Sequence, residues 1–132
     1  MKTSLFAPLA ALALLTAGCN HRKCDEPMPC VAGTVLAQTC MAGTLIQLHG
    51  AQGGQTVVLD RDGSGPREYH HVISTYTELG ELSQPGQTLH FTFQRGGRNP
   101  DLRCLANDAP SDLPLHTLRN VSANSCTDGA AN

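Results

Sequence analysis

Between residues 60 and 71 the chain concentrates side chains able to do chemistry: Asp60-Arg61-Asp62-Gly63-Ser64-Gly65, then His70 and His71. Oxygen donors at the first, third and fifth positions with glycine at the sixth match the start of a calcium-binding loop, where hard oxygen ligands surround the ion. The pattern then fails. Its last position falls on His71, where a bidentate Glu is required, and Pro66-Arg67 stand where the loop should feed regular structure. A polar turn accounts for the same residues, since Asp, Gly and Ser favour turns for conformational reasons. Acid, serine and histidine are also the residue types of a hydrolytic triad, but no Gly-x-Ser-x-Gly elbow is present to place the serine. His70 and His71 are adjacent, so on a strand they face opposite sides and do not share a metal. His21, His49, His90 and His116 are scattered, with no partner at ligand spacing. Neither a metal nor a cofactor is expected.

Short β-branched runs separated by glycine and proline must position these groups. Val31 to Thr39 and Thr44 to His49 flank Cys40-Met41-Ala42-Gly43, and Gln55 to Asp60 follows the turn formers of residues 50–54. The three read as consecutive antiparallel strands. Val72 to Thr77 is a fourth and Thr88 to Gln94 a fifth. In the fifth, Leu89, Phe91 and Phe93 alternate with Thr88, His90, Thr92 and Gln94, giving one apolar and one polar face. Leu115 to Val121 closes the set after a loop rich in Asn, Asp and Pro. No segment sustains a helical apolar period, so the expected fold is all-β: a small antiparallel barrel or sandwich of OB-like size, braced by disulfides.

The amino-terminal residues carry chemistry of another kind. Lys2 precedes an apolar run, Leu5 to Leu15, interrupted only by Pro8 and too short for the roughly 20 residues that span a bilayer. Thr16-Ala17-Gly18-Cys19 then resembles the lipobox of bacterial lipoprotein signals, although that pattern prefers Leu where Thr16 stands. The resemblance implies cleavage after Gly18 and a lipid on Cys19, which anchors the protein to the membrane of the cell envelope. Asn20 follows the cysteine, and because it is not Asp, the sorting pattern of enteric bacteria implies delivery to the outer membrane. Residues 1–18 are thus the expected signal, residues 19–29 a lipidated tether, and residues 30–132 a single β-rich domain with a flexible C-terminal tail.

With Cys19 lipidated, Cys24, Cys30, Cys40, Cys104 and Cys126 remain. In an oxidising compartment four of these pair and one is left over. Zinc sites need tight cysteine pairs about two to four residues apart, and the closest here, Cys24 and Cys30, are farther. Cys30 and Cys40 bracket the first strand, while Cys104 and Cys126 bracket the last. If those strands are antiparallel neighbours closing a barrel, Cys30 pairs with Cys126 and Cys40 with Cys104, leaving Cys24 in the tether as a free thiol.

Loss of Lys2 with the signal leaves eight basic against eleven acidic side chains, a net charge near −3. That balance gives no case for nucleic acid or for an anionic membrane surface as partner. The mature chain has no Trp and keeps only Tyr69, Tyr76, Phe91 and Phe93 as aromatics, a thin supply for stacking on bases or sugars. Arg95-Gly96-Gly97-Arg98, with Arg103, forms a local basic loop. Asn120-Val121-Ser122 matches a glycosylation sequon and reads here as the end of a strand.

The lipobox, a Gly33-Thr34-Val35 strand ending at Cys40, Pro85-Gly86-Gln87 leading into an aromatic strand, and Cys104-Leu105-Ala106-Asn107-Asp108-Ala109-Pro110 together resemble small lipoproteins of Bacteroidota-type bacteria. The resemblance covers residues 30–122 and implies a β-rich exported domain; it carries no activity and no catalytic residue.

Two function classes remain. The first is a lipid-anchored, non-catalytic envelope module that binds a protein, glycan or small ligand, an enzyme inhibitor being one form of it. Its recognition surface is expected in the polar loops Asp60 to His71 and Arg95 to Asp108, with Asp62, Arg95 and Arg98 as candidate contacts. The second is a small envelope hydrolase or metal-dependent enzyme using Asp60, Asp62, His70 or His71. Anchoring is testable directly, because acyl chains contribute about 0.8 kcal/mol per buried CH₂. Cys19→Ser is expected to accumulate as uncleaved precursor on immunoblots, and normally processed, soluble protein from that variant would remove the lipoprotein assignment.

Overall fold

A computed structural model describes residues 29–50, 53–110 and 112–126. Cys19, Cys24, Asn20 and the C-terminal tail lie outside the described residues. The described residues form six strands, β1 (Val31–Thr39), β2 (Gly43–Leu48), β3 (Gln55–Leu59), β4 (Arg67–Thr75), β5 (Thr88–Arg95) and β6 (His116–Ser122), with one 3₁₀ turn at Gly80–Ser83. They form one sheet in the order β3-β4-β2-β1-β5-β6, and every neighbouring pair is antiparallel. The all-β class expected from the sequence is what forms. The sheet stays open rather than closing into a barrel: among the described residues no ladder pairs β4 with β6, and only an isolated parallel bridge, Ser74 to Leu115, with side-chain contacts beside it, joins the end of β4 to the approach of β6.

Side-chain alternation builds two apolar layers, because successive residues of a strand face opposite sides of the sheet. In β2, Leu45 joins a cluster with Leu36, Val57 and Val72, while Ile46 and Leu48 join another with Val35, Ile73, Leu89 and Phe91. The middle of the sheet is therefore buried on both faces. Phe91, Leu45, Ile46, Ile73 and Leu89 are completely enclosed, each contributing roughly 1.5 to 3 kcal/mol of apolar burial.

Besides the irregularity that sets Gly43 and Thr44 of β2 against Thr75, three further bulges bend the sheet over these layers, since an extra residue on one strand coils it locally. The first inserts Leu36 into β1 opposite β2. The second places His70 and His71 of β4 against Thr56 alone, with His71 in the left-handed region at φ 57°. The third sets Asn120 and Val121 of β6 against Phe91, with Asn120 at φ 53°. As a result the β3–β4 hairpin brings Val57, Leu59 and Tyr69 onto Leu36 and Leu45, and the β5–β6 hairpin brings Phe93 and Leu118 onto Ile46 and Ile73.

Two sequence expectations need correction. The segment Asp60 to His71 is not a loop throughout: the turn is confined to residues 60–66, and β4 begins at Arg67 rather than Val72. Its first residues are largely exposed, so no apolar pattern marks them. Nor are the first and last strands antiparallel neighbours, because β5 lies between β1 and β6, and two antiparallel steps make them run the same way. Cys30 and Cys126 still meet, with Cα atoms 5.7 Å apart. They do so because the chain turns after Ser122, whose hydroxyl accepts from the Asn124 amide at 3.2 Å. Cys40 and Cys104 form the other bridge, at 5.6 Å. Closing sequence separations of 96 and 64 residues, each bridge restricts the unfolded chain by roughly 4 to 5 kcal/mol in the chain-entropy picture.

Gly43, at the start of β2, has φ +66°, and a Cβ there would lie 2.2 Å from the Thr75 carbonyl oxygen. Gly86 has φ +89° with open space around it. Gly43→Ala is therefore expected to lower the thermal midpoint far more than Gly86→Ala, which carries only the backbone cost. Equal midpoints by circular dichroism would show that the β2–β4 approach is not tight.

Candidate functional site

At the far end of β1 from Cys30, the turn Cys40–Ala42 is held from three directions. Asp108 accepts from the Cys40 amide at 2.7 Å and from the Met41 amide at 3.2 Å. The Tyr76 hydroxyl donates to the Cys40 carbonyl at 3.1 Å, and the Cys40 side chain is bonded to Cys104. The Cys40 amide, ahead of that of Met41, holds the Asp108 carboxyl below the usual carboxylate range, against a smaller opposing effect of desolvation. Burial, and then the Asp108 charge, push the Tyr76 phenol up. Those contacts pin the long segment 96–115, which connects β5 to β6, onto the β1–β2 turn.

Clefts open on either side of that turn. One, of about 500 Å³, lies between the turn and the pinned segment and is lined by Met41, Tyr76, Pro100, Leu102 and Leu105 beside the Cys40–Cys104 bridge. The other, of about 530 Å³, is lined by Gln38, Thr39, Asp60, Arg61, Pro85 and Asp108. The tip of the β3–β4 hairpin and the 96–115 segment, far apart in sequence, thus converge on one pole.

The residues of the enzymatic alternative are not brought together. Asp60 Oδ1 accepts from the Gly65 amide at 3.4 Å. Asp62 Oδ1 accepts from the Ser64 hydroxyl at 2.5 Å and amide at 3.2 Å, and the hydroxyl contact is the main reason its carboxyl is held low. These oxygens serve their own turn. His70 contacts the Thr56 hydroxyl at 2.9 Å through Nδ1 and Glu68 at 3.2 Å through Nε2, while His71 Nδ1 meets the Gly53 carbonyl at 3.0 Å. Among the described residues no group of three His, Cys, Asp or Glu is arranged to hold a metal.

No protein-family profile, curated protein or solved structure is significantly similar to this chain. Its chemistry must be argued from its own residues. The two disulfides suit an oxidising, extracytoplasmic compartment, and no helix among the described residues is long and apolar enough to cross a membrane.

Arg95 ends β5 opposite His116, and Arg98 lines a shallow recess with Tyr76, Leu115 and Thr117. Met41 and Tyr76 had no motif to mark them, and Leu102, Leu105 and Asp108 fall within the expected recognition loop Arg95 to Asp108 without having been singled out there. The sequence signal was indirect: the expected Cys40–Cys104 pairing brings this loop to the β1–β2 turn, and Leu102 and Leu105 lie on either side of Cys104 in it.

His116 is buried at this pole, its ring edge-on to Phe93 at 5.4 Å and its Nδ1 without a hydrogen-bond partner among the described residues. Burial pulls its pKa down, the nearby Pro114 carbonyl opposes that, and Arg95 reinforces it. The Pro114 oxygen already accepts from the Ser74 hydroxyl at 3.1 Å. A histidine kept neutral when folded but free to protonate near pH 6.5 when unfolded costs stability as the pH falls. The contribution is unimpaired above about pH 6.5 and erodes below it, as the unfolded state takes up the proton first. The thermal midpoint is therefore expected to drop between pH 7 and pH 5, and His116→Leu to flatten that slope; an unchanged slope in the variant would assign it to other groups.

Proposed function

We propose that the chain is a lipid-anchored, non-catalytic binding module of the bacterial cell envelope, tethered through Cys19 in the outer membrane, that engages a protein partner through the pole around Cys40. The observation that carries this reading is the placement of the two bridges at opposite ends of β1. Cys30–Cys126 fixes the domain where it follows the tether, and Cys40–Cys104 fixes an exposed loop segment at the far end. A loop already immobilised loses little conformational entropy on binding, which leaves more of the contact energy as affinity.

The separate local partners of Asp60, Asp62, His70 and His71 support a binding role over the enzymatic one, because catalysis needs such groups convergent in one cavity. The small number of aromatic side chains favours a protein over a glycan as partner. Presentation of a braced loop to a periplasmic or host enzyme, as an inhibitor does, is one form this function takes.

Affinity capture of the lipidated protein from its own envelope tests the reading. Arg95→Ala and Arg98→Ala are expected to reduce partner recovery several-fold with the thermal midpoint nearly unchanged, since exposed charges contribute little to stability. Substrate turnover by the purified domain that disappears in a folded Asp62→Ala or His71→Ala variant would replace this function with the enzymatic one.

A further inference from the structure

We infer that the recess at Arg98 is a carboxylate site, which takes a monoanionic carboxylate on a short apolar stem; as the seat of a partner's acidic side chain or chain terminus it rests on the protein-binding role proposed above. The recess measures about 220 Å³, small enough to be filled by a single side chain.

Charge separates it from the two larger clefts. Asp101 lines the one beside the Cys40–Cys104 bridge, and Asp60 and Asp108 line the other. The recess has no carboxylate in its lining, and Arg98 is its one permanently charged side chain. Glu78 follows Thr77 in sequence but lines no part of the recess, and among the described residues the sole ion pair is His70 with Glu68. The Arg98 guanidinium is thus without a carboxylate partner among the described residues. A planar carboxylate matches its two-pronged donor geometry.

The backbone that carries Arg98 is fastened to the start of β6. The Gly96 amide donates to the Leu115 carbonyl at 2.8 Å, and the Gly96 carbonyl accepts from the Thr117 hydroxyl at 2.9 Å. Gly97 packs so closely that a Cβ on it would stand 3.1 Å from Thr117 Oγ1. Thr77 Oγ1, also in the lining, accepts from the Thr75 hydroxyl and from the Leu118 amide, each at 3.0 Å. Its own proton is left for a further acceptor.

His116 lines the recess while only 8 % exposed, with Nδ1 unpartnered among the described residues. Arg95 weighs against a positive charge on that ring, so the imidazole adds no second cation at neutral pH. Leu115 and the Tyr76 ring complete the lining and offer an alkyl stem an apolar wall. One cation among hydroxyl and apolar neighbours suits a monoanion; a phosphate, largely dianionic at neutral pH, would leave a charge unmatched.

Sodium butyrate, titrated into the isotopically labelled full mature chain against sodium chloride at equal ionic strength, is the probe. Saturable shifts of the Thr77, Gly97, Arg98 and Thr117 amide resonances are expected, with affinity about tenfold lower both for Arg98→Gln and for neutral butyramide in place of butyrate. Equal response to butyramide, affinity unaffected by Arg98→Gln, tighter binding of inorganic phosphate, or shifts centred elsewhere in the chain overturns the inference. Affinity capture from the native envelope separates the sources of the carboxylate. Butyrate that displaces the captured protein assigns the carboxylate to the partner, and butyrate that fills the recess without displacing it assigns a free small carboxylate; both uphold the site. Butyrate bound at Arg98 with no protein captured upholds the site and removes the protein-binding role, whereas a captured protein with no butyrate bound removes the site and leaves that role intact.

Discussion

The hold of Asp108 on the β1–β2 turn is the contact on which the pole around Cys40 depends. Two backbone amides that no strand partner can satisfy are met by one carboxylate reaching across 68 residues of sequence, and the same turn is tied covalently to Cys104. Neither contact alone would define a cleft. A disulfide by itself leaves a swivel, and a carboxylate by itself leaves a segment that exchanges with water. Combined with the Tyr76 hydroxyl on the Cys40 carbonyl, they give an irregular chain of some twenty residues the fixed position that secondary structure supplies elsewhere.

Much of the framework was legible in the sequence because burial leaves a periodic trace. Leu89, Phe91 and Phe93 alternate with polar residues, and β5 formed where that alternation runs; β1 spans Val31–Thr39, the run bracketed by Cys30 and Cys40. The early part of β4 left no trace. Arg67, Glu68 and His70 lie on an exposed hairpin, where pairing is sustained by backbone hydrogen bonds and by a few packed residues such as Tyr69. Openness of the sheet was equally hidden, because closure depends on how far the bulges coil the strands and not on strand count.

The cysteines show how a pairing can follow from brackets around strands even when the topology invoked for it does not hold. What matters is that the ends of β1 and the regions around β6 come within bonding distance, and a turn after Ser122 achieves that as well as strand adjacency would. The individual cleft residues were harder to single out, although the expected Cys40–Cys104 pairing already brought their segments together. Met41, Leu102 and Leu105 are apolar positions without period, and their meaning comes from a tertiary approach made in part by a single carboxylate.

The placement of the two bridges also determines how the domain would carry a mechanical load. A pull applied between Cys30, just ahead of β1, and the segment bearing Cys104 travels along the β1 backbone to Cys40 and across its sulfur bridge. Every link on that route is covalent. The hydrogen bonds between strands lie beside the line of tension and not within it, so a partner gripping the far pole could drag on the domain without peeling its sheet apart. In that sense β1 serves as a tension rod, with the remaining five strands packed around it as ballast.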